Sequence, residues 1–356
     1  MKSAYLLAGT RFTKLFRILK RHGMGISFKF FLRFLFLFQN GIWASLFYRK
    51  ERKLFRERIK AQELPANPIF IIGHWRTGST YLHQLLALDE QFATCNLFQS
   101  SIPDSFLSSR KSYEPIMSKA LKGNRPMDQV KLGMDEPQED EYALFRMSTH
   151  SPLEDLVFPK GSDYFLTSYR NFVPKNSKEK EEWKDALILF YKKIMIAGGG
   201  NKILLMKNPF HSMRIPLLKE LFPQARFIVI DRNPEVLIPS TIRMWDIVGR
   251  QNAMNRKWKS PEFVEVVRFY KRVRKKMKED LADIPTDRKI SIQFEQLEAE
   301  PVSVVKRIYE HFQLPFNSNF DQGLHGFIHS NRAYKKNTYQ LSDKQVKILQ
   351  HEFQEL

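Results

Sequence analysis

The sequence predicts an α/β protein of three layers, in which helices flank a central parallel sheet, preceded by a basic helical arm. Short apolar runs alternate with helical stretches, which is typical of parallel strands buried on both faces. The N-terminal part differs, because it is basic and rich in phenylalanine, and the prolines Pro65 and Pro68 separate it from the first apolar run. We therefore expect an arm at 1–65 and a main domain at 66–356.

The arm carries most of the chain's charge. Its fifteen Lys and Arg against three Glu give a net +12 of the formal +20. The run 28–48 approaches the length of a membrane span, but Lys29 and Arg33 lie inside it, and an isolated spanning helix tolerates such charges poorly. We do not expect a span. Two interpretations stay open: an amphipathic element on an anionic membrane surface, or a helix packed on the domain with a solvated basic face.

Composition excludes several classes of protein. Apolar residues make up 43% of the 356 residues, enough for a real core, so the chain is not disordered. Cys95 is the only cysteine, which excludes an intrachain disulfide and a thiol-rich metal site. The sequence has no recognisable signal-peptide pattern and no nucleic-acid-binding module. We expect a cytoplasmic protein, at most peripheral to a membrane, with no metal and no nucleic-acid partner.

The main domain begins with the apolar run 68–73, which predicts a strand, followed by helical spacing over 77–88. Three later apolar runs predict further strands, at 203–206, 226–230 and 290–294. A helical insertion at about 99–200 separates the first two strands, and we expect it to form a lid on the acceptor side of the ligand site. Ligands of such sheets bind at the carboxyl ends of the strands, so the residues that follow each strand are the candidates for a site.

The first such segment, from Gly73 to Thr80, reads Gly-His-Trp-Arg-Thr-Gly-Ser-Thr. A Gly-x4-Gly turn between a strand and a helix is the layout of a P-loop, whose backbone N–H groups bind an anion at the helix N-terminus. Ser79 stands where an NTPase has its Walker lysine, and a basic residue, Arg76, lies in mid-loop. An ordinary tight turn would also contain two glycines, but the preceding strand and the hydroxyls of Ser79 and Thr80 favour an anion loop in a P-loop-like fold.

A second basic site follows the third predicted strand. That strand ends in Asp231-Arg232, a helix starts at Pro234, and Ser240 lies two turns along it. An arginine and a serine so placed can both bind one phosphate. Two alternatives stay open, in which Asp231 is a Walker-B aspartate and Arg232 is an ordinary surface charge.

These motifs resemble those of the sulfotransferases that use 3′-phosphoadenosine-5′-phosphosulfate (PAPS), including their bacterial branch. Residues 68–80 look like the 5′-phosphosulfate loop of that family, and Arg232 with Ser240 looks like its 3′-phosphate element. The four residues from Lys207, Lys-Asn-Pro-Phe, are similar to the Lys-Asp-Pro-Phe of tyrosylprotein sulfotransferases, in which the lysine is catalytic. The resemblance covers about 68–341 and not the arm. It implies that PAPS is bound by Arg76, Thr77, Gly78, Ser79, Thr80, Arg232 and Ser240.

The implied reaction makes Lys207 and Arg76 the candidate catalytic cations. Sulfuryl transfer is an in-line displacement in which negative charge grows on the bridging oxygen of the leaving nucleotide, so the site needs preorganised cations and N–H donors. A terminal sulfuryl group carries less negative charge than a γ-phosphoryl group, which makes a Mg²⁺ clamp less necessary. The missing Walker lysine fits this chemistry. The alternative enzyme class, a P-loop kinase or NTPase, depends on 73–80 and Asp231 alone.

The acceptor hydroxyl needs a general base, and the sequence offers two candidates. Tyrosylprotein sulfotransferases carry a glutamate downstream of the loop arginine, but this chain has no carboxylate at 94–98. Glu139, in the acidic cluster 135–141, resembles a Pro-x-Glu-Asp signature of the bacterial branch, although Pro and carboxylates in a first turn also simply stabilise a helix start. His211, four residues beyond Lys207, either takes the acceptor proton, orients the cofactor or is structural.

The remaining ligand contacts are expected near the C-terminus and in the apolar segments. Residues 329–341 resemble the family's C-terminal segment over the cofactor, which implies that Lys335, Lys336 and Tyr339 contact PAPS; a solvated loop is the alternative. The Phe-rich arm and the aromatic insertion favour an apolar alcohol as acceptor, such as a steroid, a sterol or a lipid quinol. Sulfation of a saccharide or of protein tyrosine stays an alternative.

Overall fold

The computed structural model describes residues 6–23, 26–120, 133–160, 174, 176–331 and 337–353. By its internal contacts the chain forms two compact units. The sheet unit consists of Pro65–Thr94, Lys202–Arg243 and Glu262–Leu356, and the arm unit consists of Met1–Leu64, Cys95–Asn201 and Met244–Pro261. The first boundary between units falls after Leu64, and contacts group residues 1–64 with most of the predicted insertion.

Strands and helices follow one another along the chain. The strands are β1 Ile69–Ile72, β2 Phe92–Ala93, β3 Ile203–Lys207, β4 Arg226–Asp231 and β5 Lys289–Gln293. The helices before β3 are α1 Phe12–Arg21, α2 Phe31–Ala61, α3 Ser79–Leu86, α4 Leu97–Ser101, α5 Phe106–Ala120, α6 Glu141–Ser148, α7 Glu154–Val157 and α8 Ser177–Ala197. Those after it are α9 Ile215–Leu221, α10 Pro234–Asn252, α11 Phe263–Leu281, α12 Phe294–Ala299, α13 Pro301–Phe312, α14 Ser318–Ser330 and α15 Asp343–Phe353.

The strands of the sheet unit form one parallel sheet in the order β2-β3-β1-β4-β5. This confirms the predicted fold class. β1 lies between β3 and β4, so the order of the strands reverses there, and folds of this kind bind ligands beyond the carboxyl ends of the strands at such a point. The sequence did not predict β2, because its two residues are too few to form a recognisable pattern.

Apolar side chains cover both faces of β1. On one face Ile69 and Ile71 pack with Leu82 of α3. On the other face the ring of Phe70 contacts the ring of Phe222, with the centroids 6.0 Å apart. Because alternate side chains of a strand point to opposite faces, burial on both sides explains why this strand is apolar at every position. The strand is therefore a firm support for the loop that follows it.

In the arm unit, α2 packs against α1, α5 and α8. Gly41 lets α1 come close, since a Cβ at that position would lie 3.3 Å from the Cα of Phe12. The buried Glu51 accepts the backbone N–H of Ser108 at 3.0 Å and forms an ion pair with Lys193 of α8. Burial raises the pKa of Glu51, and Lys193 opposes that shift. These contacts hold one side of α2 on the rest of its unit.

Candidate active site

The loop after β1 needs glycine at both ends. Gly73 has φ 151°, and a Cβ there would lie 2.3 Å from the carbonyl oxygen of Ile230. Gly78 has φ 87°, and a Cβ there would lie 2.0 Å from the ring of Phe294. Only glycine fits both the backbone conformation and the space. The loop therefore joins β1 to the N-terminus of α3 in a tight turn, which is the geometry expected of an anion-binding loop.

Two sets of hydrogen bonds fix the shape of this loop, one within the loop and one between the loop and Ser212. The hydroxyl of the buried Thr77 donates to the carbonyl oxygen of His74 at 2.9 Å. The hydroxyl of Ser212 donates to the carbonyl of Gly73 and accepts its N–H, both at 2.9 Å. Ser212 did not stand out in the sequence, although it lies only five residues after Lys207. A loop held in this way binds an anion without first having to be ordered.

Two further residues of the loop, Trp75 and His74, have a structural role that was not predicted from the sequence. Trp75 is 5% exposed, and its ring packs edge-on against Phe210 with centroids 4.8 Å apart. His74 is buried among aromatic rings, 5.2 Å from that of Tyr270, and its Nδ1 lies 3.0 Å from the carbonyl oxygen of Trp75. Burial lowers the pKa of His74 to about 4, so its imidazole is neutral at physiological pH. Their position directly after Gly73, inside the predicted loop, is the feature of the sequence that could have indicated this role.

The structure brings together three residues predicted to bind the donor. Arg76 adopts a left-handed backbone conformation with φ 69°, which is uncommon outside glycine. Its Nε donates to the hydroxyl of Ser240 at 2.9 Å, and the guanidinium of Arg232 donates to its carbonyl oxygen at 3.0 Å. The same guanidinium lies over the ring of Phe294, 4.3 Å from the centroid. The second basic site is thus joined to the loop.

Lys207 ends β3 beside the loop. It pairs in register with Ile71 of β1 and is 1% exposed, and its Nζ donates to the hydroxyl of Thr80 at 3.3 Å. Lysine is rarely buried so fully unless its charge has partners. Its ammonium group therefore lies beside the first turn of α3, where Ser79 is also buried and the helix dipole favours an anion.

His211 lies in the short 3-10 helix Pro209–Met213 that follows Lys207. Its side chain is fully buried, and its ring packs edge-on against Phe70 with the centroids 5.8 Å apart. Asn208 caps this turn by accepting the N–H of Phe210 at 2.9 Å. The packing favours the structural interpretation of His211, and its catalytic role stays a prediction.

Asp231 serves the structure of the sheet unit. Its carboxylate accepts the hydroxyl of Tyr270 at 2.9 Å and pairs with Arg274 at 3.0 Å, both on α11. It therefore links β4 to a helix, which is not the open position of a metal-binding Walker-B aspartate. Within the described ranges, no cluster of three or more His, Cys, Asp and Glu side chains is placed to hold a metal ion.

Glu139 belongs to the arm unit, in the acidic cluster 135–141. Asp135 forms two hydrogen bonds with the guanidinium of Arg110, at 2.8 and 2.7 Å. Asp140 accepts the hydroxyl of Tyr191, and Glu141 accepts that of Ser151 at 2.6 Å. The helix begins at Glu141, so the helix-start interpretation applies to Asp140 and Glu141. Glu139 precedes them and is half-buried.

The predicted C-terminal contacts are only partly visible. Lys335 and Lys336 lie outside the described residues. Tyr339 is half-buried, and its hydroxyl has no hydrogen-bond partner in the part of the chain that the structure describes. A half-buried phenol of this kind is able to bind a ligand, and the contact of Tyr339 with PAPS stays a prediction.

Together these elements form one cationic site at the carboxyl end of the sheet. The N-terminus of α3, Lys207, Arg76 and Arg232 supply positive charge, and Thr80 and Ser240 supply hydroxyls. Because the loop is braced and largely buried, these groups are preorganised for an anion. The arrangement can hold a phosphorylated ligand and stabilise negative charge that develops on it.

Comparison with known proteins gives a consistent result. The model of the sulfotransferase family matches residues 68–318, beginning just before β1. Omega-hydroxy-beta-dihydromenaquinone-9 sulfotransferase Stf3 of Mycobacterium bovis is 29% identical over 316 residues, which cover 89% of this chain and 79% of that protein. Stf3 of Mycobacterium tuberculosis matches equally well. These matches leave out 11% of the chain. The arm, residues 1–65, is a larger part of the chain than that, so the matches include part of the arm.

Solved structures share the fold. The crystal structure of sulfotransferase STF1 from Mycobacterium tuberculosis has a TM-score of 0.65 at 17% identity, covering 97% of this chain and 92% of that one. The crystal structure of sulfotransferase STF9 from Mycobacterium avium also has a TM-score of 0.65, at 19% identity, with 88% and 81% covered. At such low identity the likeness concerns the fold alone.

Proposed function

The chain belongs to the sulfotransferase family, and we propose that this enzyme transfers the sulfuryl group of PAPS to a hydroxyl of an apolar, lipid-like alcohol. The observation that carries the proposal is the joined cationic site, in which the β1–α3 loop, Lys207 and the Arg76–Ser240–Arg232 contacts meet. A kinase or NTPase fits less well, because Ser79 replaces the Walker lysine and Asp231 is committed to α11.

We assign the two ends of the donor to the two halves of this site. The N–H groups of the loop and the hydroxyls of Ser79 and Thr80 hold the 5′-phosphosulfate. Arg232 and Ser240 hold the 3′-phosphate, with the arginine already oriented by its contact with the loop. The close approach of Ile230 to Gly73 and of Phe294 to Gly78 keeps the loop in the tight turn that directs its N–H groups to an anion.

In the reaction the acceptor oxygen forms a bond to sulfur while the bond from sulfur to the bridging oxygen breaks. The acceptor is released as its sulfate monoester, and 3′-phosphoadenosine-5′-phosphate is the other product. Lys207 and Arg76 stabilise the charge that grows on the bridging oxygen. We assign the proton of the acceptor hydroxyl to Glu139, with His211 as the second candidate.

The acceptor is proposed to be a lipid alcohol, or a steroid or sterol of similar character. The support is the named activity of the matching mycobacterial relative, whose substrate is a hydroxylated dihydromenaquinone, together with the exposed phenylalanines of the arm. An apolar acceptor of this kind resides in a membrane. We therefore also propose a cytoplasmic enzyme that works at a membrane surface through its arm, with no nucleic-acid partner.

Two experiments test the proposal. In thermal unfolding, phosphoadenosine phosphate should stabilise the protein more than ATP–Mg²⁺ or DNA does, and stabilisation by ATP–Mg²⁺ alone would reject it. Incubation with ³⁵S-labelled PAPS and a lipid extract should label an apolar product that mass spectrometry identifies as a sulfate ester. Labelling confined to saccharide or protein would reject the acceptor class.

The donor assignment predicts a change in KM. Arg232→Ala should raise the KM for PAPS about 10- to 100-fold, because a hydrogen bond to a charged group is worth roughly 1.5–3 kcal/mol. Arg307→Ala, at an exposed arginine of the same unit, is the control and should leave the KM unchanged. Equal KM values in the two variants would contradict the 3′-phosphate site.

A further inference from the structure

One side of α2 is apolar and exposed. The helical segment Phe28–Ala61 is long and apolar enough to cross a membrane. In its most apolar stretch of 18 residues, only 17% is buried. The buried positions Leu37, Gly41 and Ala44 lie on the opposite side, against the arm unit. We call the exposed residues the apolar face: Phe28, Phe31, Leu32, Leu35, Phe38, Ile42, Trp43 and Leu46.

The same side of the helix becomes basic further along. Residues seven apart lie on one side of an α-helix, so Leu35 and Ile42 continue into Arg49 and Arg56. Lys53 falls between these two arginines on that side, and all three basic side chains are exposed. An exposed apolar patch of this size marks an interaction surface, and here cations adjoin it.

The basic half also lines a groove of about 660 Å³ between the start of α1 and α2. We call it the basic groove; its charged lining residues are Arg11, Arg49, Arg52, Lys53, Arg56 and Glu57. Arg11 pairs with Asp104 at 2.8 Å. Arg49, Arg52 and Lys53 form no ion pair with any residue that the structure describes. Uncompensated like charges held together repel one another, and an anion in the groove relieves that repulsion.

We propose that the apolar face and the basic groove together bind the surface of a membrane that contains anionic phospholipids. The apolar face enters the acyl region, and the cations of the groove contact the headgroup phosphates. The helix lies at a slant against the membrane surface, so that its apolar N-terminal half enters more deeply than its basic half. It does not span it, since its other side is held by Gly41 on α1 and by the buried ion pair of Glu51 with Lys193.

Charge decides between a membrane and a second copy of the chain. A two-fold dimer with parallel helices would bring the same cations of two protomers together, and an antiparallel one would place them at opposite ends without an anion from the apolar face; only Glu57 among the lining residues offsets their charge. An anionic bilayer matches both parts of the helix. Its acyl chains accept the apolar residues, and its adjacent phosphates pair with the cations. The inference deepens the peripheral location proposed above, but its test needs neither donor nor acceptor.

The first test is flotation of the full chain with vesicles of phosphatidylcholine alone or mixed equally with phosphatidylglycerol. The protein should float with the mixed vesicles and be released by high salt. The triple variant Arg49→Gln/Lys53→Gln/Arg56→Gln should lower the partition coefficient roughly a hundredfold. The control Lys275→Gln/Lys278→Gln/Lys347→Gln removes three exposed charges from the sheet unit and should change partitioning less than about threefold.

The second test measures depth. Trp43 is 53% exposed, Trp258 is half-buried, and Trp75, Trp183 and Trp245 are buried, so brominated acyl chains should quench mainly Trp43. Trp43→Phe should remove most of that quenching and keep binding. The proposal is overturned by absent binding to mixed vesicles, by equal binding of the two triple variants, by resistance to high salt, or by lipid-independent dimerisation through the apolar face. Stabilisation by phosphoadenosine phosphate should be the same in all these variants, which separates failure here from failure of the proposed reaction.

Discussion

The sharpest prediction concerns the charge of Lys207. Replacement by methionine keeps the length of the buried stem and removes the ammonium group. At about 4 Å a unit charge pair is worth about 4 kcal/mol at an effective dielectric of 20, and about four times less in bulk water. Since Lys207 is 1% exposed, the higher figure applies. Half a unit of charge developing on the leaving oxygen then makes the ammonium worth about 2 kcal/mol, and loss of a preorganised donor costs up to about 4 kcal/mol.

Lys207→Met should therefore lower the rate of sulfuryl transfer about 30- to 1,000-fold, while the affinity for PAPS changes much less. Lys207→Arg should restore little, because the broader planar guanidinium does not replace a compact ammonium in a buried site. Single-turnover kinetics at saturating PAPS measures both effects. Lys202→Met, at a half-buried lysine that directly precedes the same strand, is the matched control and should retain its rate.

A loss of less than about threefold in Lys207→Met, worth under about 0.7 kcal/mol of barrier, would refute the catalytic assignment. Thermal unfolding of each variant checks that the fold is intact, so that a slow reaction is not mistaken for a misfolded protein. A variant that binds PAPS normally but turns over slowly is the expected outcome.

Two further predictions concern the loop. Gly78→Ala should cost at least about 1–2 kcal/mol for the left-handed backbone alone, before the ring of Phe294 moves, and lower Tm by about 2 °C or more. Gly323→Ala, at an exposed position of α14 where an added Cβ meets no atom within 4 Å, should leave Tm equal or higher. Equal Tm values in the two variants would contradict the need for Gly78. The pKa of His74 is lowered from 6.5 to about 4, so the unfolded chain binds its proton first, and about 3 kcal/mol of stability present above pH 6.5 is lost as pH falls to 4. Denaturant unfolding across this range should show a shallower pH slope in His74→Phe, and an unchanged slope would argue against a buried neutral imidazole.

The sequence determined the local parts of this protein. Four apolar runs gave the positions of β1, β3, β4 and β5, and the spacing of Gly73 and Gly78 gave the loop between a strand and a helix. The helix expected over 77–88 spans Ser79–Leu86, because Gly78 takes the left-handed conformation of a cap. Such features depend on neighbours a few residues apart, whose sterics and hydrophobic period are visible in a sequence.

Only the tertiary structure decided which residues far apart in the sequence contact one another. Arg76 and Ser240 are 164 residues apart, and Arg232 lies 156 residues from the carbonyl that it contacts. Likewise Ser212 braces Gly73, and α2 buries Glu51 beside Lys193, which joins the arm to the insertion. Contacts of this kind depend on the order of strands in the sheet and on side-chain packing between distant segments. No local pattern encodes them, because the free energy that selects them comes from burial of the whole chain.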